Sequence, residues 1–161
     1  MIKITRVTMD DLPAVVQIER AGFSPAEAGS PAAFKERISK LAATFLLARD
    51  GDRVVGFIVG PAVNAKFVAD EMYTQTPTNL VTGGHQLVLS IAVVPAYRGQ
   101  GVGSQLLTAL EREARAAGRQ TMSLDSLAKN VPFYTHNGFV KVGVAASSHA
   151  GETWYNLVKK L

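Results

Sequence analysis

The sequence has no cysteine. This absence excludes disulfide bonds, thiolate metal sites and cysteine nucleophiles, and it fits a reducing compartment. Long hydrophobic runs are missing as well: the longest, "VVGFIVGPAV" at residues 54–63, is far short of the roughly 20 residues that span a bilayer. The N-terminus lacks an apolar segment followed by a small-residue cleavage site. We therefore expect a cytoplasmic protein with no membrane partner and no bound metal.

The chain also has little excess charge, with a formal net charge of +4. A solvated surface with a slight surplus of lysine and arginine explains this value, and a site for an anionic ligand is the alternative. The basic residues that could contact nucleic acid are dispersed and lack an aromatic-basic motif. They are Arg112, Arg115, Arg119, Lys141, Lys159 and Lys160. We therefore expect no nucleic-acid partner.

What the chain does contain is enough apolar sequence for one domain over residues 1–161, since 47% of its residues are hydrophobic. Alternation in "IKITRV" predicts a strand, and Thr8 with Asp11 forms a capping-box pattern that predicts a helix start. Ser30 and Pro31 are typical of the start of a second helix. The Asp-Gly pair inside "TFLLARDGDRVVGFIVG" predicts a hairpin.

The second half is organised around a nearly continuous apolar run, Gln86–Val94, which is typical of a central strand covered on both faces. A long irregular loop over residues 61–84 precedes it, and a helix over Ser104–Ala117 follows, with Gly118 as its C-cap. "TMSLDSL", "FVKVGV" and "ETWYNLV" predict strands, and "VPFYTHN" predicts a short helix. The order βααββ, β-loop-α, β-α-ββ predicts a mixed α/β (α+β) fold with a mostly antiparallel sheet.

Between the central strand and the next helix lies "VVPAYRGQGVGSQLL", Val93 to Leu107, with one arginine and three alternating glycines. A glycine-rich turn that opens a helix leaves backbone N–H groups unpaired and admits a ligand without obstruction by Cβ atoms. Arg98 and the helix N-terminus both add positive charge. The loop therefore predicts a phosphate or pyrophosphate site, although a tight strand-to-helix turn would also explain its glycines.

Two common nucleotide loops do not fit this segment. A Walker A loop that starts at Gly99 needs Gly-Lys before its Ser or Thr, but Val102 and Gly103 precede Ser104. A dinucleotide-binding fingerprint, G-x-G-x-x-G, would need its last glycine where Ser104 stands. That fingerprint also lies in the first βαβ unit of its domain, whereas this loop lies in the middle of the chain.

The loop resembles the coenzyme motif of GNAT-type N-acetyltransferases, Arg/Gln-x-x-Gly-x-Gly/Ala, with Arg98, Gly101 and Gly103 at the motif positions. A second match, "NVPFYTHNGF" at residues 130–139, is similar to the Asn, Phe-Tyr and Gly-Phe of that family. The resemblance implies a central mixed sheet of about six to seven mostly antiparallel strands, flanked by about four helices. It also implies an N-acetyltransferase that uses acetyl-CoA as acyl donor.

Other segments look like the arylalkylamine, or serotonin-type, N-acetyltransferases. They are "IERAGF" at 18–23, "VVGFIVGPAV" at 54–63, "GGH" at 83–85 and "VPFY" at 131–134. The best-known members carry two histidines on the central strand that relay a proton, and Leu87 and Leu89 stand at the matching positions here. The resemblance implies a primary amine of a small molecule as acceptor, and a homodimer.

The resemblance also implies roles for particular residues. Tyr134 matches the family's general acid, which protonates the coenzyme thiolate after direct attack by the amine. A backbone N–H of Ala92 or Val93 would face the oxyanion. The residues expected to bind the coenzyme are Ile91, Ala92, Val93, Arg98, Gly99, Gln100, Gly101, Val102, Gly103, Ser104, Asn130 and Phe133.

The general base is not evident, because no Glu, Asp or His lies on strand Gln86–Val94. His85 and a water held by Ser90 are the options there. A non-catalytic acetyl-CoA sensor is therefore one alternative, and an acetyltransferase of protein or peptide amines is another. The residues expected to bind the acceptor are Phe23, Glu71, Tyr73 and Asp125.

Overall fold

The computed structural model describes residues 1–161 and contains nine strands and four α-helices. The strands are β1 (Ile2–Arg6), β2 (Phe45–Asp50), β3 (Arg53–Val59), β4 (Ala62–Val63), β5 (His85–Val88), β6 (Ser90–Val93), β7 (Thr121–Ser126), β8 (Val140–Val144) and β9 (Tyr155–Lys160). The helices are α1 (Leu12–Gly22), α2 (Pro31–Lys40), α3 (Val102–Ala116) and α4 (Val131–His136). No helix is both long enough and apolar enough to cross a membrane.

The strands form two sheets. The first has the order β1-β2-β3-β6, and all its pairs are antiparallel. The second has the order β4-β5-β7-β9-β8, in which only β5 and β7 run parallel. The predicted mixed, mostly antiparallel α/β fold is confirmed, but the sheet is divided in two. Two strands are additional to the seven that the sequence predicts. One is β4, which lies in the expected loop, and the other is β6, because the predicted central strand is divided into β5 and β6.

The predicted central strand is interrupted at Leu89. Before it, β5 pairs with β7 in the second sheet, and after it, β6 pairs with β3 in the first. Gly60 allows the close approach of the chains at this point, since a Cβ there would lie 1.8 Å from the carbonyl oxygen of Leu87. Beyond the interruption β6 is an edge strand, while β7 continues beside β9. A gap therefore opens between β6 and the end of β7.

The local sequence signals have the predicted structures. The Thr8 N–H donates to the Asp11 carboxylate at 2.8 Å, as a capping box requires. The Ser30 hydroxyl accepts from the backbone N–H of Ala33 at the start of α2. Gly51, with φ of 59°, turns the hairpin between β2 and β3. Each of these signals is local, so tertiary packing does not override it.

Two apolar clusters hold the sheets and helices together. One, of 12 buried residues, lies between α1, α2 and the first sheet and includes Phe34, Phe45 and Phe57. The other, of 15 buried residues, lies around α3 and joins Ile58 of the first sheet to Leu157 of the second. The gap between β6 and β7 therefore has packed elements on both sides, which fix its walls.

Candidate active site

A cavity of about 950 Å³ occupies the gap between β6 and the end of β7. Along β6 it extends from Ser90, whose hydroxyl contacts Glu19, to Val93, whose carbonyl contacts Arg98. The glycine-rich loop lines the Val93 side. Tyr73, whose carbonyl accepts a hydrogen bond from Arg37, lines the Ser90 side. The cavity therefore has two chemically different halves.

The glycine-rich loop presents a run of unpaired backbone donors. None of the N–H groups from Gly99 to Ser104 donates to a backbone carbonyl, and the first helical bond of α3 runs from Gln105 to Gly101. Gly99 and Gly101 have φ of 75° and 82°, which only glycine adopts readily. Because these donors lie at the N-terminus of α3, this half of the cavity favours an anion.

The side chain of Arg98 links the loop to β6. Its Nε donates to the carbonyl of Val93 at 3.1 Å. Gly103 packs tightly against α4, because a Cβ there would lie 3.0 Å from the ring of Phe133. The loop is thereby held between the edge of β6 and α4, with a positive charge beside its free donors.

Tyr134 lies on α4 at the wall of the cavity and is 8% exposed. Its ring packs edge-on against Phe133 and Phe139, with centroid distances of 5.0 and 6.0 Å. Burial raises the pKa of the Tyr134 phenol above its ordinary value. The phenol is therefore protonated at neutral pH and can act as a proton donor.

Glu19, on α1, is a buried carboxylate in the same cavity and is 3% exposed. Its Oε1 accepts from the hydroxyl of Ser90 at 2.6 Å, and its Oε2 accepts from the N–H of Gly29 at 2.8 Å. Desolvation raises the pKa of Glu19, although these hydrogen bonds and the charge of Arg37 oppose the shift. A carboxylate with a raised pKa can accept a proton from a substrate near neutral pH.

Arg37, on α2, balances the charge of Glu19 and is 1% exposed. Its Nη2 donates to the carbonyl of Tyr73 at 3.0 Å, and its guanidinium lies 4.6 Å from the ring centre of Phe34. This arginine therefore holds the segment that carries Tyr73 and supplies a buried positive charge near Glu19.

The half of the cavity near Tyr73 is aromatic. The rings of Tyr73 and His149 are stacked with centroids 5.2 Å apart, and His149 lies 5.8 Å from Trp154. Asp125, near the end of β7, lines the same cavity. Burial and the charge of Asp70 raise the pKa of Asp125 to about 6.

The structure brings most of the predicted residues to this cavity. Those predicted for the coenzyme and lining it are Ile91, Ala92, Val93, Arg98, Gly99, Gly101, Val102, Gly103, Ser104, Asn130 and Phe133. Those predicted for the acceptor or for catalysis and lining it are Phe23, Tyr73, Asp125 and Tyr134.

Two predicted residues do not line the cavity. The side-chain amide of Gln100 donates to the carbonyl of Ala96. Glu71 is exposed outside the cavity, because the short helical turn at residues 70–73 directs Tyr73 and not Glu71 inward. Of the two options for the base, His85 contacts Thr121 outside the cavity, and the Ser90 hydroxyl donates to Glu19.

Sequence reasoning missed Glu19, Arg37, His149 and Trp154, all of which line the cavity. Glu19 does have a sequence signal, because it follows the buried Val15 and Ile18 at helical spacing. No three or more His, Asp or Glu side chains are grouped so that they could hold a metal ion.

An open strand edge next to a loop of unpaired backbone donors suits an elongated ligand with amide groups and a diphosphate, which is the chemistry of coenzyme A. This site within a split α/β sheet defines a coenzyme-A-dependent acyltransferase. The model of the Acetyltransferase (GNAT) family matches residues 12–139, so the chain belongs to that family. It is an N-acetyltransferase with acetyl-CoA as co-substrate.

Solved structures share the fold. Ard1 from Thermoplasma volcanium is 22% identical, with a TM-score of 0.77 over 99% of this chain and 97% of Ard1. The NatC complex bound to Gag peptide and CoA includes a chain 16% identical, with a TM-score of 0.77 over 99% and 98% of the two chains. The GphF GNAT-like decarboxylase in complex with isobutyryl-CoA is 13% identical, with a TM-score of 0.83 over 98% of each chain. Among curated proteins, none matches the sequence significantly.

Proposed function

We propose that the enzyme transfers the acetyl group of acetyl-CoA directly to a primary amine of a small molecule, with Tyr134 as general acid and Glu19 as general base. The observation that carries the proposal is the meeting of these two buried groups, from α4 and α1, in one cavity beside the open edge of β6. The coenzyme's diphosphate binds to the N–H groups of Gly99 to Ser104, next to Arg98.

The edge of β6 supports the placement of the thioester. The carbonyl of Val93 accepts from Arg98 and so faces the cavity, whereas the N–H of Val94 donates to β3. Because backbone groups alternate along a strand, Ile91 and Val93 direct their N–H groups to the open edge, and Ala92 directs its own toward β3. The sequence suggested Ala92 or Val93 for the oxyanion contact. We keep Val93 and assign the alternative to Ile91, because the N–H of Ala92 is directed toward β3.

The reaction needs two proton transfers. An amine attacks the thioester carbon as the neutral base, and Glu19 takes the proton that the new amide nitrogen releases, directly or through water. The C–S bond breaks, and the Tyr134 phenol gives its proton to the thiolate. Since Glu19 supplies a base that strand Gln86–Val94 lacks, its position favours an enzyme over a non-catalytic sensor.

Tyr134→Phe tests the acid role. Loss of the phenol should lower kcat by about 100-fold or more, because a positioned acid contributes roughly 100- to 10,000-fold. The Kd for acetyl-CoA should stay within about twofold, since the ring remains. Turnover is followed by release of the coenzyme thiol, and binding is followed by calorimetry. Acetylation at the parental rate would show that Tyr134 is not the acid.

Arg98→Ala is the matched control for this test. It removes a charge beside the coenzyme site and leaves Tyr134 in place, so it should raise the Kd for acetyl-CoA by about tenfold. The two variants therefore separate coenzyme binding from proton donation.

Acetylation of a protein or peptide amine is the second candidate. Its support is the similarity of fold to a chain of the NatC complex, which was solved bound to Gag peptide and CoA. The expected resemblance to arylalkylamine acetyltransferases is not supported by the solved structures named above, none of which is an arylalkylamine acetyltransferase. It rests on the sequence segments alone. A screen of small amines, amino acids and peptide N-termini, with thiol release as readout, decides between the candidates.

A further inference from the structure

Asp125 is a carboxylate without a partner. Its Oδ1 is buried and makes no hydrogen bond, and no lysine or arginine forms a salt bridge with it. Asp11, in contrast, pairs with Arg49 at 2.8 Å, and Glu19 has Ser90 and Gly29 as donors. Asp125 as a whole is half-buried, and a buried carboxylate oxygen that lacks both a donor and a counter-charge is unfavourable unless a ligand supplies them.

A second carboxylate strengthens the negative potential at this place. Burial and, to a lesser extent, the charge of Asp70 raise the pKa of Asp125. Asp70 is exposed outside the cavity, where the hydroxyl of Ser147 donates to it at 2.6 Å. Repulsion between the two carboxylates is relieved when a cation binds beside Asp125.

Tyr73 connects this acidic region to Glu19. Burial raises the pKa of the Tyr73 phenol, and the negative charges of Asp125 and Glu19, which line the same cavity, raise it further. The ring of Tyr73 stacks on His149 within the same cavity wall. Aromatic faces next to carboxylates are suited to an alkyl chain that carries a positive end group.

From this arrangement we propose that the acceptor carries a second positive charge, bound by Asp125, while its reacting amine lies at Glu19. The substrate class is thus a linear diamine or polyamine, whose alkyl segment passes along Tyr73. This inference rests on the proposed function and adds a specificity residue to it. Asp125 does not take part in the proton transfers.

Matched pairs of acceptors test the proposal: α,ω-diaminoalkanes of three to eight carbons and the n-alkylamines of equal length. We expect kcat/KM to be about 10- to 100-fold higher for the best diamine than for its monoamine, as a charge-assisted contact would give. Asp125→Asn should abolish this preference, so that the diamine and the monoamine of equal length have similar kcat/KM. Asp52→Asn, in the exposed hairpin turn, is the control and should keep the preference.

Three results would be decisive against the proposal. Monoamines acetylated as well as diamines by the parent would overturn it. Equal losses for both acceptors in Asp125→Asn would instead give Asp125 a role in the chemistry. A diamine that binds equally to parent and variant, by calorimetry in the presence of coenzyme A, would also overturn it. Diamine binding that depends on Asp125, without acetylation of any amine, would support the cation site and refute the proposed function.

Discussion

Glu19 and Arg37 are opposite charges buried on consecutive helices, and each has a defined partner in the cavity wall. Removing one member of a buried pair leaves the other uncompensated, so such pairs tolerate substitution poorly. Because desolvation raises the pKa of Glu19, its carboxylate is a stronger base than an exposed glutamate. Burial of Glu19 and Arg37 thus costs folding free energy, but it also makes the Glu19 carboxylate a better proton acceptor.

Glu19→Gln tests the base by the pH profile. A base must be ionised, so kcat/KM of the parent should fall as the pH falls through the raised pKa of Glu19, above the value of roughly 4.3 for a free glutamate. Glutamine cannot accept the proton, and we expect a rate at least about 100-fold lower with no such acid limb.

Glu113→Gln is the matched control for this variant. Glu113 forms a surface ion pair with Arg6 at 3.6 Å and is absent from the cavity, so both the rate and the profile should be unchanged. Circular dichroism shows whether each variant is folded. The profile is measured with a monoamine, so that ionisation of Asp125 takes no part in it. A limb at the raised pKa of Glu19 that persists in folded Glu19→Gln would assign the base to another group.

Part of the site could be read from the sequence at this scale, and part could not. Arg98, Gly101 and Tyr134 belong to local motifs, and the helical spacing of Glu19 after Val15 was a usable signal. His149 carries no such signal, because its partner Tyr73 is distant in sequence and tertiary packing alone brings their rings together.

At the scale of elements, the interruption of the central strand creates the site. An apolar run indicates burial on both faces, but it does not specify which strand pairs with each edge. In β6, Ile91 and Val93 are only partly buried, because they line the cavity. The pairing changes at Leu89 from β7 to β3. The two-sheet arrangement therefore could not be predicted from the pattern. The helices and the hairpin could be predicted, because they depend on local caps and turns.

Three segments over the acceptor half of the cavity meet at His149. Its ring stacks on Tyr73, its Nε2 lies 3.3 Å from the carbonyl oxygen of Glu27, and its own carbonyl accepts from the Trp154 indole at 2.8 Å. His149→Ala removes the first two contacts and keeps the third. We expect a KM for the amine about tenfold higher, with an unchanged Kd for acetyl-CoA.

His136→Ala is the control for this substitution, because His136 is exposed in the last turn of α4 and is absent from the cavity. It should alter neither constant. A normal amine KM in His149→Ala would mean that the three segments hold the acceptor half in place without this ring.

At the scale of the whole molecule, the larger apolar cluster joins the sheets. It contains Leu46 and Ile58 from the first sheet and Met122 and Leu157 from the second, packed around α3. The chain also crosses between the sheets at Leu89. We infer that residues 1–161 form one domain that unfolds in a single step, because the larger of the two clusters is built from both sheets.

Denaturant unfolding tests this inference with two probes. Fluorescence of Trp154, the only tryptophan, reports on the segment before β9, while far-UV circular dichroism reports on all helices. Their midpoints should coincide. Coenzyme A at about 100 times its Kd should shift both by the same amount, adding about 2.7 kcal/mol to the free energy of unfolding. A second transition, or a shift seen by one probe alone, would mean that the sheets unfold separately and that the coenzyme stabilises only one of them.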